Sequence, residues 1–209
     1  MKRALFLDLD NTIYPVSSIA HQLFDKLFKL IDEDLGRDNK AAADKAKDEL
    51  TRRPYQHVAD EFGFSAELKE QGMEILRNCT FEEPMYPFEH YNDLRAIPID
   101  KFLVTTGFTK LQMSKVHRLN IAADFKNIYV VDPELSNQTK KDVFQKIIEE
   151  YGYAEQEILV IGDDPNSEIK AAIELGIDTF LFDPEDKHTN EGVTHRAKDY
   201  SDVAEIVLK

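Results

Sequence analysis

The chain has 209 residues, 42% of them apolar, enough for one large domain or a core with a modest insertion. Its formal net charge of −14 disfavours nucleic-acid backbones and anionic membranes as partners, so an anionic substrate would need local positive charge or a metal at its site. One cysteine, Cys79, excludes an internal disulfide, and nothing around it forms an activating pair for a thiol nucleophile.

The first element is the apolar run Ala4, Leu5, Phe6, Leu7 and Leu9, too short for a typical helix and read as a buried strand. It ends in Asp8-Leu9-Asp10-Asn11-Thr12. Two carboxylates at the end of a buried strand are costly unless paired or bound to a metal. The pattern then becomes helical. Ser17 or Ser18 can cap a helix whose apolar residues Ile19, Leu23, Leu27, Leu30 and Ile31 recur at spacings of three and four. A second helix covers Lys40 to Thr51. A third starts at Pro54 and stops at Gly63. A fourth is capped by Ser65 and runs to about Asn78. No strand pattern appears between residues 15 and 95, and residues 15–85 read as an all-helical insertion.

After Glu83-Pro84 and Tyr86-Pro87 a short helix is expected near Phe88 to Ala96. Strands follow at Lys101–Thr106, Asn127–Val131, Glu157–Ile161 and Thr179–Phe182. They alternate with helices at Thr109–Leu119, Thr139–Tyr151, Ser167–Leu175 and Asp199–Leu208. Gly176 stops the third of these. This alternation predicts an α/β fold, a Rossmann-like three-layer core with a parallel sheet. Ligands in such sheets bind beyond the carboxyl ends of the strands. Three such ends carry polar groups here: Asp8 and Asp10, Thr105 and Thr106, and Asp163 and Asp164.

Asp8-Leu9-Asp10-Asn11-Thr12 resembles the first motif of the haloacid dehalogenase superfamily, most of whose members are phosphatases. The longer string Asp8 to Ser17 is similar to its pyrimidine 5'-nucleotidase-like branch. The resemblance implies a catalytic core of residues 1–14 plus 86–209 and a helical cap of residues 15–85 inserted after the first strand. Asp8 would be the nucleophile that forms an aspartyl-phosphate. Asp10 would protonate the leaving oxygen and then activate water. That role leads one to expect an Asp10 pKa raised by Asp8 or by burial. Mg2+ is the implied cofactor, held by Asp8, the Asp10 carbonyl and Asp163, with Asp164 and Glu168 around them.

Thr105 matches the second motif, and the Thr106 and Gly107 backbone N–H groups would join it in holding phosphoryl oxygens. Relatives often carry Asn in place of Thr106. The third motif is a lysine before a helix. The usual position holds Gln138, and helical spacing selects Lys140 instead, with Lys141 close behind. The fourth motif is Gly162-Asp163, with Glu168 where Asp is usual. In the cap, Arg52, Arg53, Tyr55 and His57 form the richest polar-aromatic group for substrate binding.

These readings imply a Mg2+-dependent phosphomonoester hydrolase for a small phosphorylated metabolite, a nucleoside monophosphate first and a sugar phosphate second. The enzyme alternative is a 2-haloacid dehalogenase, against which Asp10 and Asp163 speak. A non-catalytic member binding a phosphorylated ligand or a protein is the third reading. Without a leader-like apolar segment the expected location is the cytoplasm. No His/Cys cluster has zinc spacing, and a monomer or weak homodimer is expected.

Overall fold

The computed structural model describes residues 1–189 and 192–209. Six parallel strands form one sheet in the order β3-β2-β1-β4-β5-β6. They are β1 (Ala4–Leu7), β2 (Asp100–Thr106), β3 (Asn127–Val131), β4 (Ile158–Gly162), β5 (Asp178–Phe182) and β6 (His195–Ala197). β1 lies at the centre and pairs with β2 on one side and β4 on the other. The chain thus winds outward in both directions from the β1/β4 boundary, and a crevice opens there at the carboxyl ends.

The strands are apolar on both faces, as a sheet covered on both sides requires. Leu5 and Leu7 join Leu103, Leu159, Ile161, Phe180 and Phe182 in one core. Ala4 and Phe6 join Phe102, Val104, Ile158 and Val160 in the other. Helices α7 (Lys140–Tyr151) and α8 (Glu168–Glu174) cover the second face. Helices α5 (Tyr91–Ala96), α6 (Thr109–Leu119) and α9 (Val203–Leu208) cover the first. β6 was not expected: His195-Arg196-Ala197 is a half-buried edge strand with no apolar alternation to betray it.

Between β1 and β2 the longer elements are helices: α1 (Ala20–Asp34), α2 (Lys40–Glu49), α3 (Tyr55–Glu61) and α4 (Ala66–Asn78). Ser65 caps α4 through the Leu68 N–H, as its position suggested. The apolar stripe of α1, with Leu23, Phe24, Leu27 and Ile31, continues the first core through Leu9, Ile13 and Tyr14. Among the described residues no helix is long and apolar enough to cross a membrane.

Two polar links join this helical segment to the sheet-bearing part across the crevice. Asn11, at φ 54°, donates from Nδ2 to the Thr51 carbonyl at 3.2 Å and accepts the Val16 N–H at 3.0 Å. Asn tolerates this left-handed backbone better than most residues. On the other side Arg77 of α4 meets Glu134 with both ends of its guanidinium, Nε lying 2.6 Å from Oε2.

Candidate active site

Asp8 follows β1 and Asp163 follows β4, on either side of the boundary where the sheet reverses its winding. Glu168 opens α8 and is almost fully buried. Carboxylate oxygens of Asp8, Asp163 and Glu168 lie within 4.8 Å of one another. Lys140 reaches them from the start of α7, donating to Asp8 Oδ1 and Glu168 Oε2 at 2.6 Å each. Its direction is set locally. Thr139 and Asp142 form a reciprocal capping box that fixes the first turn, and Lys140 falls on the buried stripe with Val143, Phe144 and Ile147.

The electrostatics follow from crowding. Burial raises the Asp8 pKa to about 7, with Glu168 and Asp10 adding to the rise against the pull of Lys140. Burial, Glu168 and Asp8 likewise hold Asp163 well above the usual carboxylate range. Asp164 is raised by burial and by Glu168. Burial would depress Lys140, yet Asp8 and Glu168 outweigh it and keep the ammonium charged. Once ionised, three carboxylates outnumber the one ammonium, and the donors are all hard oxygens. That is the donor set Mg2+ takes, so the residues present fit a divalent cation.

Glu168 is therefore closer to the centre than its expected outer position. Oε1 also accepts the Asp164 N–H at 2.9 Å, so Asp164 serves the site through its backbone. Gly162 makes room for this: a Cβ there would lie 2.1 Å from Glu168 Oε1. Gly162→Ala is expected to cost about 1–3 kcal/mol through overpacking, read as a lower urea midpoint at unchanged slope.

Asp10 corrects an expectation. Its carboxylate is not part of the acidic trio and its pKa is lowered, not raised. Burial pushes it up, but the Lys115 ammonium at 2.7 Å, the Tyr14 hydroxyl and Gln112 together outweigh burial. Gln112 Nε2 also donates to Thr105 Oγ1 at 2.6 Å and contacts the Thr106 carbonyl at 3.3 Å. Thr105 is buried and keeps its own hydroxyl proton to offer.

Other expected residues fall elsewhere. The Gly107 N–H is engaged by the Val131 carbonyl at 3.1 Å, so Gly107 lines the cleft without offering that donor. Lys141 points outward and pairs with Glu174 at 2.8 Å, because one helical step turns it about 100° from Lys140. His57 is exposed and lies outside the cleft lining, on the opposite side of α3 from Tyr55, Val58 and Ala59. Tyr55 borders the cleft, but its hydroxyl is tied to the Leu68 carbonyl at 2.7 Å in a space that Gly72 clears. Arg53 borders the cleft as well and is paired with Glu61 at 2.7 Å. Arg52 also borders it.

Gln112, Lys115 and Tyr14 escaped the sequence reading. A signal existed for two of them. Gln112 and Lys115 stand on the buried stripe of α6 beside Leu111, Val116 and Leu119, where apolar residues are expected. Thr12, the last residue of the first motif, places its hydroxyl 3.3 Å from Asp163 Oδ1.

A family model described as haloacid dehalogenase-like hydrolase matches residues 2–176. No curated protein matches the sequence. Among solved structures, a haloacid dehalogenase-like family hydrolase from Streptococcus pneumoniae superposes with a TM-score of 0.74 at 20% identity, covering 98% of each chain. The HAD-hydrolase YfnB from Bacillus subtilis, solved bound to magnesium, gives 0.65 at 22% identity, covering 99% of this chain and 98% of its own. A HAD phosphatase from Thermococcus onnurineus gives 0.65 at 18% identity, with the same coverage of 99% and 98%. L-2-haloacid dehalogenases share the fold too. At these identities the likeness shows the fold and leaves the substrate open.

Proposed function

The chain belongs to the haloacid dehalogenase-like hydrolases, and on that premise we propose that it is a Mg2+-dependent phosphomonoester hydrolase. The observation that carries this reading is the convergence of Asp8, Asp163 and Glu168. A dehalogenase that attacks carbon needs no such acidic trio. Asp8, the Asp10 carbonyl and Asp163 would hold the cation, with Glu168 beside them. When bound, the cation supplies charge neutralisation at the phosphoryl oxygens and keeps nearby carboxylates ionised.

The chain's own groups then divide the work. Asp8 attacks phosphorus, forming an Asp8–phosphorus bond as the bond to the leaving oxygen breaks. Lys140 holds the attacking carboxylate in place and charged. Thr105 donates its hydroxyl to a phosphoryl oxygen. Asp10 gives a proton to the leaving oxygen. Its carboxylate is held as an anion by Lys115, and an arriving phosphoryl dianion is the like charge that favours its protonated form. In the second half-reaction Asp10 starts as the carboxylate, the form that Lys115, Tyr14 and Gln112 stabilise. It takes a proton from a water whose oxygen bonds to phosphorus as the Asp8–phosphorus bond breaks, releasing phosphate and restoring Asp8. The helices of residues 15–85 act as a cap over the core of residues 1–14 and 86–209. The substrate is a small phosphorylated metabolite of the cytoplasm, with a nucleoside 5'-monophosphate the first candidate.

Phosphate release from a panel of phosphomonoesters tests the proposal, with Mg2+ and with chelator. Wild type is expected to release phosphate only with the metal, and Asp8→Asn to release none. No release from any member by folded, metal-supplemented protein would sink it.

A further inference from the structure

The cleft holds an excess of acids. Asp8, Asp10, Asp163, Asp164 and Glu168 all border it. Its cations are mostly engaged already. Lys140 is bound by Asp8 and Glu168, Lys115 by Asp10, and Arg53 by Glu49 and Glu61. In the adjoining space toward Asp183, Lys47 is held by Asp32 and Asp44, and Lys187 by Glu185. Arg52 borders both spaces and differs. Its nearest carboxylate is Asp48 at 4.0 Å, and its guanidinium donates no hydrogen bond to any described residue. Among the described lysines and arginines lining these spaces it is the one without a hydrogen-bonded acid.

Its side chain is half-exposed, but the backbone beside it is anchored. Asn11 directly follows Asp10, and its Nδ2 holds the Thr51 carbonyl at 3.2 Å. Thr51 directly precedes Arg52. The backbone of Arg52 is therefore tied to the loop that carries Asp8 and Asp10, and Arg52 lines the same cleft as those two acids. A second anion on that leaving group would meet repulsion from the acidic cluster unless a cation received it. A guanidinium with unused donors suits a carboxylate or phosphate, which it can bind through two parallel hydrogen bonds.

We propose that Arg52 binds an oxyanion on the leaving group, so that preferred substrates are phosphomonoesters carrying a second anionic group, a carboxylate or another phosphate. This rests on the phosphohydrolase reading above and reorders its substrates: a nucleoside leaves as a neutral group, so a doubly anionic ester ranks ahead of a nucleoside 5'-monophosphate. Arg52 would be a specificity-determining residue.

The test compares three esters of similar size: glycerol 1-phosphate, 3-phosphoglycerate and glycerol 1,3-bisphosphate. Each is assayed with Mg2+ against wild type, Arg52→Gln and Arg52→Lys. At least one doubly anionic ester is expected to exceed glycerol 1-phosphate in kcat/KM, and which one does identifies the oxyanion. Arg52→Gln is expected to lower kcat/KM for that ester about 10- to 100-fold more than for glycerol 1-phosphate, mainly through KM. Arg52→Lys should restore part of the difference. Equal losses for all three esters, or a wild type that prefers glycerol 1-phosphate, would overturn the assignment.

Calorimetric binding of the same esters to Asp8→Asn, with and without Arg52→Gln, separates this from the reaction itself. Tighter binding of a doubly anionic ester that disappears with Arg52→Gln supports the subsite even where no ester turns over, an outcome that would remove only the phosphohydrolase reading. Absence of that binding difference counts against the subsite.

Discussion

Lys140→Met is expected to lower both stability and turnover severely, while Lys141→Met changes little. Lys140 is buried between Asp8 and Glu168, at 2.6 Å from each. Removing it leaves two buried carboxylates facing each other without their counter-ion. Breaking a buried pair on one side costs about 3–5 kcal/mol. For a chain of this size that corresponds to a Tm drop of roughly 10 °C. Turnover should fall by about 10²–10³, because the same ammonium holds the attacking carboxylate ionised and in place. Its charge lowers the Asp8 pKa, so its loss pushes Asp8 further toward the neutral, unreactive acid.

Lys141 pairs with Glu174, both side chains well exposed, and such a pair contributes about 0–1 kcal/mol. Thermal melts and initial rates on the two variants check the contrast. A double variant, Lys140→Met with Glu168→Leu, separates the two effects. Removing one of the stranded acids should recover part of the stability and none of the turnover. Equal behaviour of Lys140→Met and Lys141→Met would refute the assignment of the motif lysine to Lys140.

That choice between neighbours shows what the sequence can and cannot carry. Lys140 was legible because its helix is strongly periodic: Val143, Phe144 and Ile147 define a stripe, and Lys140 continues it. The core strands were legible for a similar reason. They are short, apolar and bounded by turn residues, and Asp8 and Asp163 sit at their ends. β6 was not, because pairing with β5 and not apolar pattern makes it a strand.

The surroundings of Asp10 were invisible for a different cause. Lys115 and Gln112 lie more than 100 residues away in the chain and meet Asp10 only when α6 packs on the sheet. Reasoning from Asp8 as the nearest charge therefore had the wrong sign for the Asp10 pKa. Residues picked for chemical type alone fared unevenly. His57 and Tyr55 share α3 with opposite exposures, one outside the cleft and one serving mainly as packing. Type identifies candidates, but helical phase decides which of them can reach a ligand.

The second large effect concerns pH and metal together. Metal-free protein is expected to lose stability as pH rises through about 7, and Mg2+ to reverse that loss. Asp8 is raised from 3.8 to about 7 in the folded chain, and Asp163 is raised as well. A carboxyl group whose folded pKa lies above its unfolded value binds its proton more tightly when folded. Its contribution to stability is full below the unfolded pKa and is lost as pH rises through the folded one. Asp10, Asp132 and Asp183 run the other way, being lowered in the folded chain. Their contribution is present above the unfolded pKa and is lost only as pH falls through their depressed values. The two windows do not overlap, so near neutral pH the crowded trio decides the slope.

A divalent cation binds the deprotonated carboxylates, and its affinity rises as their protons leave. The Tm gained on adding Mg2+ should therefore be small near pH 5 and grow toward about pH 8. Asp163→Asn removes one of the crowded acids. It should stabilise the metal-free protein at about pH 8 and abolish most of the Mg2+ gain there. Thermal melts across this range, with Mg2+ and with chelator, read all of these at once. A Mg2+ increment that does not change with pH, or one that survives Asp163→Asn intact, would place the cation somewhere other than the Asp8, Asp163 and Glu168 cluster.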